Sequence, residues 1–196
     1  MDAQQRQQLR ERLRAERRGM DPRSRLQAAA AVARHLQPLL GDGRVAGYWA
    51  CDGELPLHAL MPLLAPERYA LPVTQSGRRM HFAPWQTGDA LRTNRYGIPE
   101  PDTQTVWSPE QLDVVILPLV AFNRRGDRLG MGGGYYDRAF AFLHDRARGQ
   151  KPLLVGAAYA FQEVPDLSSE PWDVPLDHIV TEQELIHATR PAEPAR

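Results

Sequence analysis

Residues 113 to 138 read "DVVILPLVAFNRRGDRLGMGGGYYDR". The first ten are almost continuously apolar, as expected of a strand covered on both faces. Pro118 lacks an amide donor, so the regular ladder is expected to end near Leu117. Five of the chain's 15 glycines then fall within the nine positions 126–134, directly before two tyrosines, an aspartate and an arginine. Glycine costs backbone entropy in any ordered element, so a cluster of them has a cause. Either the chain turns sharply for packing, or an anion lies against bare amides, helped by the positive start of a helix. The spacing fits neither the dinucleotide fingerprint nor a P-loop, which needs a Gly-Lys-Ser/Thr. Spacing alone leaves both readings open.

Outward from this stretch, helices alternate with apolar runs. Residues 3–18 are rich in good helix formers, with a thin stripe at Leu9 and Leu13, and Gly19 ends them. Asp21-Pro22 reads as an N-cap with proline in the first turn of a second helix. Its expected apolar face is Leu26, Ala29, Ala30, Ala33, Leu36 and Leu40. Strands are expected at 44–50, 68–74, 113–122 and 152–161. A helix bent by Pro62 is expected at 57–65, and residues 75–111 read as a long excursion with a hairpin. Tyr136, Ala139, Phe140 and Leu143 mark a helix after the glycines, and residues 177–186 a last strand entering a short helix. The pattern predicts an α/β fold: one layered domain over residues 1–190, with a mainly parallel central sheet flanked by helices and an N-terminal helical pair. Residues 191–196 are expected to be a frayed tail.

The 196 residues balance 24 Lys and Arg against 24 Asp and Glu, so no overall charge draws the chain to nucleic acid or membrane. Lys151 is the only lysine, so a side-chain phosphate contact would use a guanidinium. The single Cys51 excludes an internal disulfide and a paired-thiolate zinc site, and reads as a small hydrophobe without a catalytic role. His58, His81, His144 and His178 have no metal-ligand spacing. No run approaches the ~20 apolar residues of a bilayer span, and the Arg-rich start is not a secretory signal; a cytoplasmic protein is expected.

Residues 117–138, "LPLVAFNRRGDRLGMGGGYYDR", closely resemble the signature of the 5-formyltetrahydrofolate cyclo-ligase family, also called 5,10-methenyltetrahydrofolate synthetase. The Arg-rich first helix, "GEL" at 53–55, "YGIPEP" at 96–101 and "WDVPLDHIVTE" at 172–182 fall in the family order. The resemblance implies ATP- and Mg2+-dependent cyclisation of 5-formyltetrahydrofolate to 5,10-methenyltetrahydrofolate, with release of ADP and phosphate and no protein nucleophile. It implies ATP contacts at Arg6, Arg10, Arg128, Leu129, Gly130, Met131, Gly132, Gly133, Gly134, Tyr135 and Tyr136. Folate contacts are implied at Trp49, Glu54, Tyr96 and residues 131–135, and magnesium ligands at Asp137 and Asp173. Arg14 and Arg17 continue the face of Arg6 and Arg10, where they would meet phosphate or solvent. The chain departs from the family pattern at Pro56, Leu57, Asn123 and Gly133. The partners implied are the folate and ATP, acting on a monomer without nucleic acid or membrane. Two other classes stand beside this one. They are a phosphate-binding isomerase or CoA-transferase-like enzyme on a related scaffold, and a non-catalytic RNA- or nucleotide-binding module using the basic first helix.

Overall fold

Alternate residues of the central apolar run turn to opposite faces, and its neighbours in space repeat the alternation. Val114 and Ile116 join Val45, Tyr69, Leu71, Val155 and Val180 on one side. Val115 and Leu117 join Ala46, Ala70, Leu154 and Ile179 on the other. Both faces are therefore cores, which is why the run reads as unbroken hydrophobicity. The computed structural model describes residues 1–144 and 150–189. The expected tail at 191–196 and the end of the helix expected beyond residue 144 lie outside the described residues.

Two helices open the chain, α1 (Ala3–Gly19) and α2 (Pro22–Leu36). Asp2 and Gln5 form a capping box on α1, and the Asp21 carboxylate accepts from the Ser24 amide on α2. The strands are β1 (Val45–Ala46), β2 (Tyr69–Thr74), β3 (Met80–Pro84), β4 (Leu91–Thr93), β5 (Pro99–Pro101) and β6 (Val114–Pro118). They continue as β7 (Ala121–Phe122), β8 (Arg128–Leu129), β9 (Leu153–Ala157), β10 (His178–Val180) and β11 (Leu185–His187). A short helix α3 (Tyr135–Ala139) follows the glycines.

Seven strands form one sheet in the order β11-β10-β9-β6-β1-β2-β3. The five inner strands are parallel, and β3 and β11 close the edges antiparallel. From β1 the chain moves out to β2 and β3, then returns to the far side of β1 with β6 and continues outward to β11. The direction of winding thus reverses between β1 and β6. Open α/β sheets take ligands outside the carboxyl ends of strands at such a reversal. The glycine loop leaves the carboxyl end of β6, and "CDGE" (51–54) leaves that of β1. At the opposite, amino end of β6, Lys151 contacts Asp113, whose carboxylate also accepts the Arg44 amide at 2.7 Å.

Several expectations change. On α2 the buried arc centres on Ala29, Val32 and Leu36, so Leu26 and Ala30 fall past its edge into solvent. Residues His58–Leu63 form a 3-10 stretch, the tighter winding that accommodates Pro62. The excursion at 75–111 holds the edge strand β3 as well as the β4–β5 hairpin. β6 keeps its pairing through Pro118, one residue beyond the expected end. Among the described residues no helix follows β10. The Thr181 hydroxyl accepts the amides of Gln183 and Glu184, each at 3.2 Å, and this turn reverses the chain into β11.

Candidate functional site

Leu9 and Leu13 pack against Val120, Ala121, Leu129 and Leu167, which lays α1 across the exit of β6. One face of α1 then carries Arg6, Arg10, Arg14 and Arg17 along the reversal point. Arg6 Nη1 donates to Glu170 Oε1 at 2.5 Å, and Nη2 lies 3.5 Å from Asp173 Oδ2. Arg10 Nε donates to the Gly130 carbonyl at 2.9 Å. Partial burial and the neighbouring Arg6 charge lower the Arg10 pKa, so this corner holds crowded positive charge. Further along the helix the expected phosphate or solvent is replaced by Asp52. Its Oδ2 accepts from Arg14 Nε at 2.6 Å and Arg17 Nη2 at 3.0 Å, and its Oδ1 from Arg18 at 2.8 Å.

The glycine loop is held by its carbonyls. Besides the Arg10 bond, Arg138 Nη1 donates to the carbonyls of Gly133 and Gly134 at 3.0 and 2.9 Å. Among the described residues, no hydrogen bond uses an amide of residues 130–134 as donor. Fixed carbonyls and unused amides make a donor-rich loop, the chemistry an anion nest requires. Gly134 has φ +64°, a left-handed turn into α3 that favours glycine. α3 has only five residues before a 3-10 turn at Ala141–Leu143. The expected long helix, with its macrodipole, is therefore absent among the described residues, and the local amides carry the positive potential.

The structure sorts the remaining loop residues. Leu129 is buried beside Leu9 and Leu13, so only its backbone can face a ligand. Tyr136 stacks on Phe140, and burial followed by the Glu54 charge pushes its phenol well above the ordinary range. Met131 is exposed at the rim. Arg128, also buried, donates from Nη2 to Asp137 Oδ1 at 2.6 Å. The same oxygen accepts the Val174 amide at 3.1 Å, so the chain next to Asp173 docks on Asp137. Asp173 Oδ2 accepts the Glu170 amide at 2.9 Å. Asp137 Oδ2 and Asp173 Oδ1 enter no described hydrogen bond. Hard carboxylate oxygens of this kind are what magnesium takes, the rest of its shell coming from ligand oxygens and water. Among the described residues no group of three or more His, Cys, Asp or Glu could hold a metal by itself.

At the carboxyl end of β1, Glu54 is nearly buried, its Oε2 accepting the Cys51 amide at 3.1 Å, with Arg17 Nη2 3.6 Å from Oε1. Burial raises the Glu54 pKa, partly offset by that amide and the Arg17 charge. Burial, with Glu54 alongside, pushes the Cys51 thiol up to about 12, which keeps it protonated and poorly nucleophilic. Gly53 has φ +75°, and a Cβ there would come within 2.9 Å of the Arg17 carbonyl, so α1 and this loop meet backbone to backbone. Trp49 packs edge-on against Trp85, ring centroids 5.8 Å apart. Tyr96 meets Tyr135 edge-on at 6.0 Å, their hydroxyls 2.7 Å apart.

Two departures from the family pattern have structural causes. Asn123 is buried, and Nδ2 donates to Asp127 Oδ2 at 2.7 Å and the Leu167 carbonyl at 2.8 Å. An ionised aspartate has no such donor and would face Asp127 as a like charge. Leu57 fills the core beside Leu55 and Leu60. Sequence reasoning missed Asp52, Arg95 and Arg138. The Asp-Gly pair opposite a basic helix was a signal for Asp52, whose φ is +50°. A cleft of about 310 Å³ lined by Arg124, Phe161, Glu163, Thr181 and Glu184 shares no residue with this site, and Arg124 there is already paired with Glu163 and Glu184.

Fold and site define a doubly wound α/β enzyme class with a glycine-rich nest at its switch point. Residues 2–182 match the model of the 5-formyltetrahydrofolate cyclo-ligase family. A 5-formyltetrahydrofolate cyclo-ligase of Haemophilus influenzae is 34% identical over 92% of this chain and 99% of its own. That of Escherichia coli K12 is 35% identical over 86% and 96%. The solution structure of Aquifex aeolicus 5,10-methenyltetrahydrofolate synthetase superposes with a TM-score of 0.79 at 29% identity, covering 97% of this chain and 96% of that one. The chain belongs to the 5-formyltetrahydrofolate cyclo-ligase family.

Proposed function

We propose that the chain closes 5-formyltetrahydrofolate to 5,10-methenyltetrahydrofolate with ATP and magnesium, releasing ADP and phosphate. A formyl amide is a poor electrophile and its oxygen a poor leaving group. Transfer of the γ-phosphoryl group to that oxygen gives an iminium phosphate. The folate N10 attacks the formyl carbon, the carbon–oxygen bond breaks, phosphate departs, and N10 gives up its proton. The attack is intramolecular, so the protein has to align two ligands and neutralise charge. No side-chain nucleophile is needed, in keeping with a protonated Cys51.

The observation that carries the reading is the set of unused amides at 130–134, backed by Arg10, with the carbonyls of Gly130, Gly133 and Gly134 held by arginines. We assign the triphosphate to Arg6, Arg10 and the loop from Arg128 to Tyr136. In this assignment Arg128 acts by orienting Asp137. Asp137 and Asp173 would hold magnesium, which would screen the phosphate oxygens. Trp49, Glu54, Tyr96 and residues 131–135 would take the folate; the Glu54 carboxylate suits the paired donors of a pterin edge. The unit would be the one domain expected over residues 1–190, working as a cytoplasmic monomer. The match over residues 2–182 weighs against the isomerase, transferase and RNA-binding alternatives. The test is the absorbance of the methenyl product from folded protein, 5-formyltetrahydrofolate, ATP and magnesium. Product that requires both ATP and the metal is expected; none at mildly acidic to neutral pH overturns the reading.

A further inference from the structure

Residues 168–173 run past the start of α1 between two buried anchors. Leu167 packs with Leu9 and Leu13, and Val174 enters the core with its amide on Asp137. Within the span the Glu170 amide donates to Asp173 Oδ2 at 2.9 Å, and the Asp173 amide returns to the Glu170 carbonyl at 3.0 Å. This closed turn fixes the backbone, and Pro171 keeps Glu170 out of the helical region. Side-chain rotation alone therefore decides where the Glu170 carboxylate points. It points at Arg6: Oε1 accepts from Nη1 at 2.5 Å, while Arg6 Nη2 lies 3.5 Å from Asp173 Oδ2. One guanidinium thus faces two carboxylates, a surplus of negative charge at a position assigned to the triphosphate.

A second carboxylate on this helix face is bound differently. Asp52 is gripped through both oxygens by Arg14, Arg17 and Arg18. Glu170 is held by Arg6 through one oxygen; Oε2 enters no described hydrogen bond, and the side chain is 39% exposed against 20% for Asp52. A single, half-exposed ion pair contributes little stability. A polyphosphate offers the same guanidinium more charge and more acceptor oxygens. The amides of residues 130–134, which Glu170 does not use, add further donors for it. Phosphate oxygens and the Glu170 carboxylate cannot both occupy Arg6 without like charges in contact, so one has to leave.

We propose that Glu170 is a placeholder for phosphate. Its carboxylate neutralises Arg6 in the free protein, gives way to the polyphosphate of the nucleotide, and by competing for Arg6 sets the nucleotide affinity. The inference rests on the nucleotide reading above and extends it to an acid that works against binding. The same contact keeps the largely buried Arg6 charge paired before nucleotide arrives.

The experiment titrates ATP, and separately inorganic tripolyphosphate, each with magnesium, into wild type and Glu170→Gln by calorimetry with the folate omitted. Glutamine keeps the length of the side chain and an acceptor for Arg6, and removes the charge. Both dissociation constants are expected to fall about five-fold, and the KM for ATP with them, while the KM for the folate stays unchanged. In an Arg6→Ala background the gain should shrink to less than about two-fold. Unchanged dissociation constants in Glu170→Gln overturn the placeholder and leave the nucleotide site standing. Weaker binding makes Glu170 a support that aims Arg6, and overturns it too. A full gain without Arg6 reduces Glu170 to a diffuse repelling charge, again against the proposal. Tighter ATP with unchanged tripolyphosphate would place the effect on the base, beside the exposed Trp172, and not on Arg6. Wild type that binds neither ligand removes the nucleotide reading and this contact's role with it.

Discussion

Asp52 is where the basic helix is neutralised, and its titration follows from its partners. Burial alone would lift the carboxyl, but hydrogen bonds from Arg14, Arg18 and Arg17 outweigh it and hold it well below the usual range. A depressed carboxylate adds stability above its unfolded pKa of about 3.9, and that stability is lost as pH falls toward the folded value. Asp52→Asn is therefore expected to lower stability by about 2 kcal/mol at neutral pH, with the gap from wild type shrinking below roughly pH 4. Urea unfolding across that range measures both. At the proposed phosphate end, Asp137→Asn should raise the magnesium needed for half-maximal turnover several-fold and lower Tm as buried Arg128 loses its countercharge; unchanged kinetics across magnesium concentrations would return Asp137 to a partner of Arg128. Arg10→Ala should raise the KM for ATP about ten-fold, the scale of one charge-assisted contact. These residues were singled out as candidates because a family motif spans their positions. Asp52, Arg95 and Arg138 were not, since each takes its meaning from partners 34 or more residues away or from backbone carbonyls that no side-chain pattern reveals.

Among elements, boundaries with chemical punctuation were legible. The glycine after residue 18 and Asp21-Pro22 placed the end of α1 and the start of α2 closely, whereas the end of α2, expected near Leu40, falls at Leu36. Removing the second cap, Asp21→Ala, should lower Tm without altering KM for either substrate, as thermal unfolding and steady-state kinetics would show. The element after the glycines was misjudged because its apolar spacing suits either a full helix or a helical turn followed by a tighter one. Packing of Phe140 and Leu143 into the sheet's core, not periodicity, sets that choice. Likewise 177–186 has helix-forming residues, yet a threonine-capped turn folds them back as a strand pair. At the nest, Gly134→Ala forces a side chain into φ +64° and brings Cβ within 2.8 Å of Arg138 Nη1. The expected result is a fall of about 1 kcal/mol in stability with a disproportionate rise in KM for ATP.

At the scale of the molecule, the sequence supports a parallel sheet flanked by helices, but strand order is a non-local property. Nothing in residues 44–50 says that β1 lies between β2 and β6, yet that placement puts the site at the crevice. The winding also sets the chain's one lysine apart from the arginine face of α1. Lys151 is held by Asp113 at the amino end of β6, while Arg6, Arg10, Arg14 and Arg17 line the carboxyl end. Acylation of Lys151 should therefore spare turnover, whereas a dicarbonyl that condenses with guanidines should inactivate, with ATP slowing the loss. For the same reason a dye or solid support attached at Lys151 would lie at the opposite end of the strands from the proposed nucleotide site, giving a tethered catalyst with its mouth facing solution.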